Sequence, residues 1–180
     1  FGQFVLVMPE QDAVLVTTAG LAEMQPLLNL AWDHLLPAFD AAPTDADLPQ
    51  ALSLPTPAGS SSSARAVAVA GRTFTTTEAG ALQSFAVASR PDTIEVTIGD
   101  AAGTHVIECG VGRWVAASTG LGSGIPTPIA ASAAWEGDTL HAVVQFVETP
   151  FAYRFTARFT DDGAEVDLRA NVSFGPTHLG

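Results

Sequence analysis

The chain contains no lysine, so its seven basic residues are all arginine, set against 19 carboxylates for a formal charge of −12. A field of that sign disfavours nucleic acid and anionic membrane surfaces as partners. The carboxylates are scattered along the chain, which reads as a solvating surface and not as an acidic functional tail. Cysteine occurs once, at Cys109, and this excludes an internal disulfide and any multi-cysteine metal site. Lying in a strand-like apolar run, Cys109 reads as a buried, inert thiol. No apolar run approaches the ~20 residues needed to cross a bilayer, and no secretory pattern opens the chain. The compartment stays open.

What is present is apolar: 47% of the 180 residues are hydrophobic. That suffices for one domain, or for the remnant of one domain plus a second small one. Phe4–Met8 and Ala13–Val16 are apolar runs joined by Pro9-Glu10-Gln11-Asp12, the pattern of a hairpin. Val5, Val7, Val14 and Val16 fall on one face, and Phe4, Leu6, Met8 and Leu15 on the other. Strands apolar on both faces belong in a sheet covered on both sides. A helix is expected over Ala22–Phe39, with Met24, Leu27, Leu28, Ala31 and Leu35 as its apolar stripe, Pro26 in the first turn and Pro37 near the end. Trp32 is expected to pack on the sheet. One helix covers one face only. In a chain that opens on Phe1, the expectation is a C-terminal fragment whose N-terminal partner would supply the other cover.

From Asp40 to Ala64 the apolar period stops. Pro43, Pro49, Pro55, Pro57, Gly59 and Ser60–Ser63 read as a linker, stiff and then flexible, with a domain boundary inside it. Strand patterns then follow one another at Arg72–Thr77, Gln83–Ala88, Thr93–Ile98, His105–Cys109, Arg113–Ala117, Ile129–Trp135, Thr139–Glu148, Phe151–Phe159 and Glu165–Val172. Asp100–Gly103, Glu136–Asp138 and Asp161–Gly163 carry turn chemistry. No helical segment is expected after the linker. The spacing predicts a small antiparallel barrel or sandwich.

The segments Phe1-Gly-Gln-Phe-Val-Leu-Val-Met-Pro9 and Ala13-Val-Leu-Val-Thr-Thr-Ala19, followed by a helix around Trp32, resemble the end of the β-lactamase-like serine hydrolases. This is the superfamily of class C β-lactamases and penicillin-binding-protein relatives. Past the linker, Cys109-Gly-Val-Gly-Arg-Trp114, Glu148-Thr-Pro-Phe151 and Asn171-Val-Ser-Phe-Gly-Pro-Thr177 are similar to the C-terminal extension of some bacterial members. The resemblance implies a terminal hairpin and helix of a catalytic α/β domain over residues 1–40, a linker over 41–64, and an appended antiparallel β domain, lipocalin-like, over 65–180. It also implies a metal-free, acyl-serine parent enzyme acting on an ester, amide or peptide.

In that family a serine and a lysine stand as S-x-x-K, followed by Tyr-x-Asn and a Lys/His-x-Gly strand. The neighbouring base takes the serine proton, and backbone amides hold the oxyanion. Without lysine, S-x-x-K cannot occur here, and the only tyrosine, Tyr153, is followed by Arg154-Phe155. The third motif would lie upstream of Phe1. The loop Gly20–Leu27 lacks the Asn and Arg with which some class C members meet a substrate carboxylate, which favours esterase, amidase or D-amino-acid peptidase substrates. Gln25 reads as a capping or surface residue. No catalytic, cofactor-binding or metal-ligating residue is assigned to these 180 residues, and the chain alone is expected to be inactive.

The remaining motifs have bland readings. Gly120-Leu-Gly-Ser-Gly124 is followed by Pro126 and Pro128, so it lacks the helix a phosphate loop needs and reads as an inter-strand loop that could serve the parent as a lid. His34 has no second ligand at i±4, and His105, His141 and His178 have no carboxylate at a metal-like spacing. Asn171-Val-Ser173 matches a glycosylation acceptor in form only. Trp114, Trp135, Phe146, Phe151 and Phe155 fill a core, or line a cavity in a rival reading of the β domain as a small-ligand-binding barrel. Were the chain active by itself, Ser84, Ser118 and Ser132 are the serines to search.

Overall fold

The computed structural model describes residues 1–41, 52–77 and 80–180, and the fold is mainly β, with 45% strand and 14% helix. The chain divides into two compact units, Phe1–Leu54 and Pro55–Gly180. Pro43 and Pro49 of the expected linker lie outside the described residues.

In the first unit, strands β1 (Phe4–Met8) and β2 (Ala13–Thr17) pair antiparallel, with Val5 opposite Val16 and Val7 opposite Val14. A 3₁₀ turn over Pro9–Gln11 joins them and ends at Asp12 in the left-handed region, φ 48°, which aspartate tolerates. The helix begins at Gln25 with Pro26 in its first turn: α1 (Gln25–Leu30), a π-helical stretch Ala31–Leu35, then α2 (Leu36–Ala38). Pro37 explains the wide turn. It offers no N–H to the Asp33 carbonyl, and its ring would crowd that group in an α-helix. The Leu36 N–H donates to Ala31 O instead, one residue further back than an α-helix allows, and the helix passes through Pro37 and does not stop there.

In the second unit the nine expected strands all form, with ends shifted by a residue or two. They are β3 (Thr73–Thr75), β4 (Ser84–Ser89), β5 (Thr93–Asp100), β6 (Gly103–Gly110), β7 (Val115–Thr119), β8 (Thr127–Glu136), β9 (Thr139–Phe146), β10 (Ala152–Phe159) and β11 (Ala164–Ala170). Their order is β11-β10-β9-β8-β6-β5-β4-β3, with β7 paired on β8, and the eight strands of the main path curl into a nearly closed barrel. Every ladder is antiparallel except β6 to β8, which touch in parallel at Gly110 and Ser132. There the buried Ser132 hydroxyl donates to Gly110 O at 2.8 Å.

Strand alternation drives the core. Ile94, Val96 and Ile98 point inward, as do Phe155, Ala157 and Phe159, while Arg154 and Arg158 face solvent. An aromatic spine runs through the interior. Phe74 stacks on Phe85 at 5.0 Å, Phe85 meets Phe155 edge-on at 5.3 Å, and Phe159 lies 5.3 Å from Trp135. The Trp135 indole N–H is satisfied by Ser89 Oγ at 3.1 Å.

One expectation is corrected. The serine run is not a free tether, and a helix does follow it. Ser60 exchanges backbone hydrogen bonds with Trp135 at 3.0 and 2.9 Å, and Ser63 Oγ caps α3 (Ala64–Val69) by accepting from Ala66 N at 3.1 Å. Ala66 and Val69 enter the core, and Arg65 reaches Asp161 and Asp138 on two turns of the barrel. The compact unit therefore starts at Pro55, where composition alone suggests 65. Six residues of Ala, Val and Arg show no helical period long enough to register, and N-capping by Ser63 stabilises the turn by about 1 kcal/mol.

Candidate functional site

Three features could carry function. The first is the hairpin of the first unit. Phe4, Leu6, Met8 and Leu15 are partly or fully covered, and the backbone of Gly2 lies close to Ala19 and Leu27, where a side chain would not fit. The opposite face is bare: Val5, Val7, Val14 and Val16 are each between 61% and 67% exposed. They sit as two directly opposed pairs, so they form one continuous apolar patch. Along the helix and its caps, Met24, Leu30, Trp32 and Phe39 are exposed as well. Trp32 is thus less covered than its expected sheet packing implies, and His34 is exposed as anticipated.

The second is a polar cluster at one end of the barrel. Asp100 opens the β5–β6 turn, and its Oδ1 accepts from Ala102 N at 2.8 Å and Gly103 N at 3.0 Å. His105 Nε2 lies 2.9 Å from the same oxygen, and Gly122 N donates to Oδ2 at 2.8 Å. Burial alone would raise this carboxyl's pKa. The hydrogen bonds from Gly122, His105 and Ala102 outweigh it and hold the group below the usual carboxylate range. Tyr153 stands over Gly122, and its phenol is pushed up by burial first and by the Asp100 charge second. The glycine loop is thus bound to a carboxylate, the opposite of a phosphate cradle, and a second bond, Gly124 N to Gly120 O at 2.6 Å, folds it back on itself. Sequence spacing missed the Asp100–His105 pair because a hairpin, not a helix, brings the two together.

Among the described residues, no set for nucleophilic catalysis assembles around that pair. Ser132 is fully buried and bound to Gly110 O, Ser118 is exposed on β7, and Ser84 lies against Gly99. Among the described residues no serine hydroxyl is bonded to a histidine. His141 lies 3.6 Å from Glu136 and His178 3.1 Å from Asp167, each with a single carboxylate. Among the described residues, no three His, Cys, Asp or Glu gather as a metal site. The Cys109 thiol, fully buried, is pushed up to about 12 by desolvation and then by Glu108. Asn171 is a brace: Nδ2 donates to Pro150 O at 2.9 Å, and Oδ1 accepts from Ala152 N at 2.7 Å. It joins the Glu148–Phe151 and Asn171–Thr177 stretches, and its amide nitrogen is engaged.

The third is a cleft of about 930 Å³ along the barrel seam between β3 and β11. Phe74, Phe85 and Leu82 floor it, and threonines line one wall. Trp114, Trp135, Phe146, Phe151 and Phe155 do not line it. Trp135 and Phe146 are spent on Phe159 and Tyr153 inside the barrel.

Comparison with protein-family models, with curated proteins and with solved structures finds no match to this chain. The three features must speak for themselves. No helix among the described residues is long and apolar enough to cross a membrane.

Proposed function

We propose that the chain is the C-terminal part of a serine hydrolase of the β-lactamase-like type, acting on esters, amides or peptides. The reactive serine, its base and the oxyanion donors belong to the upstream part of the parent. The barrel is an accessory module that packs on the catalytic domain or narrows access to it. The observation that carries this reading is the valine face of the β1–β2 hairpin. A sheet apolar on both faces and covered on one is what remains when the layer on the other side is supplied by further chain. Exposed patches of this kind mark surfaces made to be covered. The first of the segments that carry the family resemblance lie in this same hairpin and helix.

The mechanism of the parent follows from general chemistry: a serine hydroxyl deprotonated by a neighbouring base attacks the carbonyl, and water then releases the acyl group. Within these residues the hairpin would contribute sheet backing and no reacting atom. The test compares this chain with a longer one carrying the parent's upstream sequence, using a chromogenic ester, a β-lactam and a fluorophosphonate probe. Turnover and labelling are expected in the longer chain only. Specific turnover by the 180 residues alone would refute the reading and direct attention to Ser84 and Ser118.

A further inference from the structure

The seam of the barrel carries a second proposal, independent of the first. Going round the sheet from β11 to β3 passes six antiparallel ladders and one parallel contact, so the two edge strands run in the same direction. They do not pair. At one end the chain's own last residues fill the gap. Leu179 N donates to Leu168 O at 2.7 Å, while Leu179 O accepts from Ala81 N at 2.9 Å across the seam. Thr177 O accepts from Ala170 N at 2.8 Å, and Arg169 bridges antiparallel to His178. One extended segment, antiparallel to β11, therefore ties β11 to the β3–β4 connection.

Beyond Gly180 the seam opens into the cleft. The backbone phase of both walls points into it. Thr76 N donates to Gln83 O at 3.0 Å, so Thr76 faces β4, and by alternation the N–H and C=O of Thr73 and Thr75 face away from β4. On β11, Leu168 and Ala170 use their outward groups on the tail. Val166 and Ala164, in the same phase, turn theirs into the cleft with no partner among the described residues. Two facing rows of unpaired backbone groups are a template for an added strand.

We propose that this cleft is a strand-addition site for an extended polypeptide in which apolar and basic residues alternate. The segment lies antiparallel to both edges, continuing the path the tail has begun. Its inward side chains would meet Phe74 and Val166, the partly exposed apolar residues of the two walls, which selects apolar residues. Its outward side chains would meet Asp162 and Glu165. His178 also lines the cleft but lies 3.1 Å from Asp167, and Arg72 is held over the Phe74 ring at 4.9 Å, so these two carboxylates select basic residues over acidic ones.

The test adds a fluorescein-labelled octapeptide of alternating valine and lysine to the whole chain and follows anisotropy at physiological salt. Saturable binding is expected, with the glutamate counterpart failing to bind. N-methylation of alternate peptide amides should weaken binding by at least about tenfold, because it removes donors and spares the side chains. Thr75→Pro should do the same, since it deletes an N–H that β4 does not use and proline is tolerated on an edge strand. Amide hydrogen exchange in the unsubstituted protein gives a readout independent of that variant: the Thr73, Thr75, Ala164 and Val166 amides should slow when the peptide is added. Absence of saturable binding would overturn the proposal. So would equal affinity for the N-methylated or glutamate peptides, or binding that leaves those four amides unprotected.

Discussion

Both units are built from short strands rich in valine and alanine, yet they treat their apolar residues in opposite ways. In the barrel, alternation sends Ile94, Val96, Phe155 and Phe159 inward and leaves Arg154 and Arg158 outside, so each strand needs one core and finds it. In the hairpin both faces are apolar, and one of them, the Val5–Val7–Val14–Val16 face, has no core to enter. An isolated two-stranded hairpin is marginal in water, and one packed helix is a small support. Covering four valines that are already about one-third buried would stabilise the unit by roughly 4 kcal/mol. The lesson is that strands with one apolar face find their core within the barrel, whereas strands apolar on both faces leave one face bare in the hairpin.

The largest effect that would break this contrast is in the barrel core. Trp135→Ala removes a side chain that is 2% exposed and packed on Phe159. The expected cost is about 3–5 kcal/mol by urea unfolding of the barrel, and a change below about 1 kcal/mol would mean the core is not organised around that ring.

Next comes Asp100→Ala, which strands three backbone donors at the barrel end and should cost about 2–3 kcal/mol at neutral pH. The carboxyl's folded pKa is depressed, so its stabilisation is present above the unfolded value and is lost as pH falls through the folded one. The gap between wild type and variant should therefore be widest at neutral pH and close in acid. A gap that stays constant down to pH 2 would remove the ionised carboxylate from the account.

Gly59→Ala should cost about 2 kcal/mol, because the new Cβ collides with the Trp135 carbonyl and the glycine holds φ 145°. An unchanged unfolding curve would argue that the Gly59–Ser60 segment is not part of the barrel. The smallest effect is in the hairpin: Val5→Thr with Val16→Thr should change the stability of this chain by no more than about 0.5 kcal/mol. The same pair should be clearly destabilising in a longer parent in which that face is buried.

How far the sequence foretold this depended on the length and kind of each signal. The nine strands were legible because alternation and turn residues such as Asp161-Asp162-Gly163 recur at short spacing. The hairpin's two apolar faces were legible for the same reason. The helix α3 and the docking of Ser60 on Trp135 were not, since a serine run has no hydrophobic period and its partner lies far along the chain. The Asp100–His105–Gly122 cluster was hidden because β5–β6 pairing and a distant loop assemble it. The seam was invisible in principle: whether two edge strands meet depends on the curvature of the whole sheet.

The most direct test of the central claim uses Val14→Cys. The native thiol, Cys109, is buried with its pKa at about 12, so it stays silent toward a thiol reagent at neutral pH. In this chain the new cysteine should react rapidly. In a longer chain carrying the parent's upstream sequence it should react at least about a hundredfold more slowly, as burial under a folded layer requires. Equal reactivity in the two chains would show that nothing covers the valine face and would contradict the account.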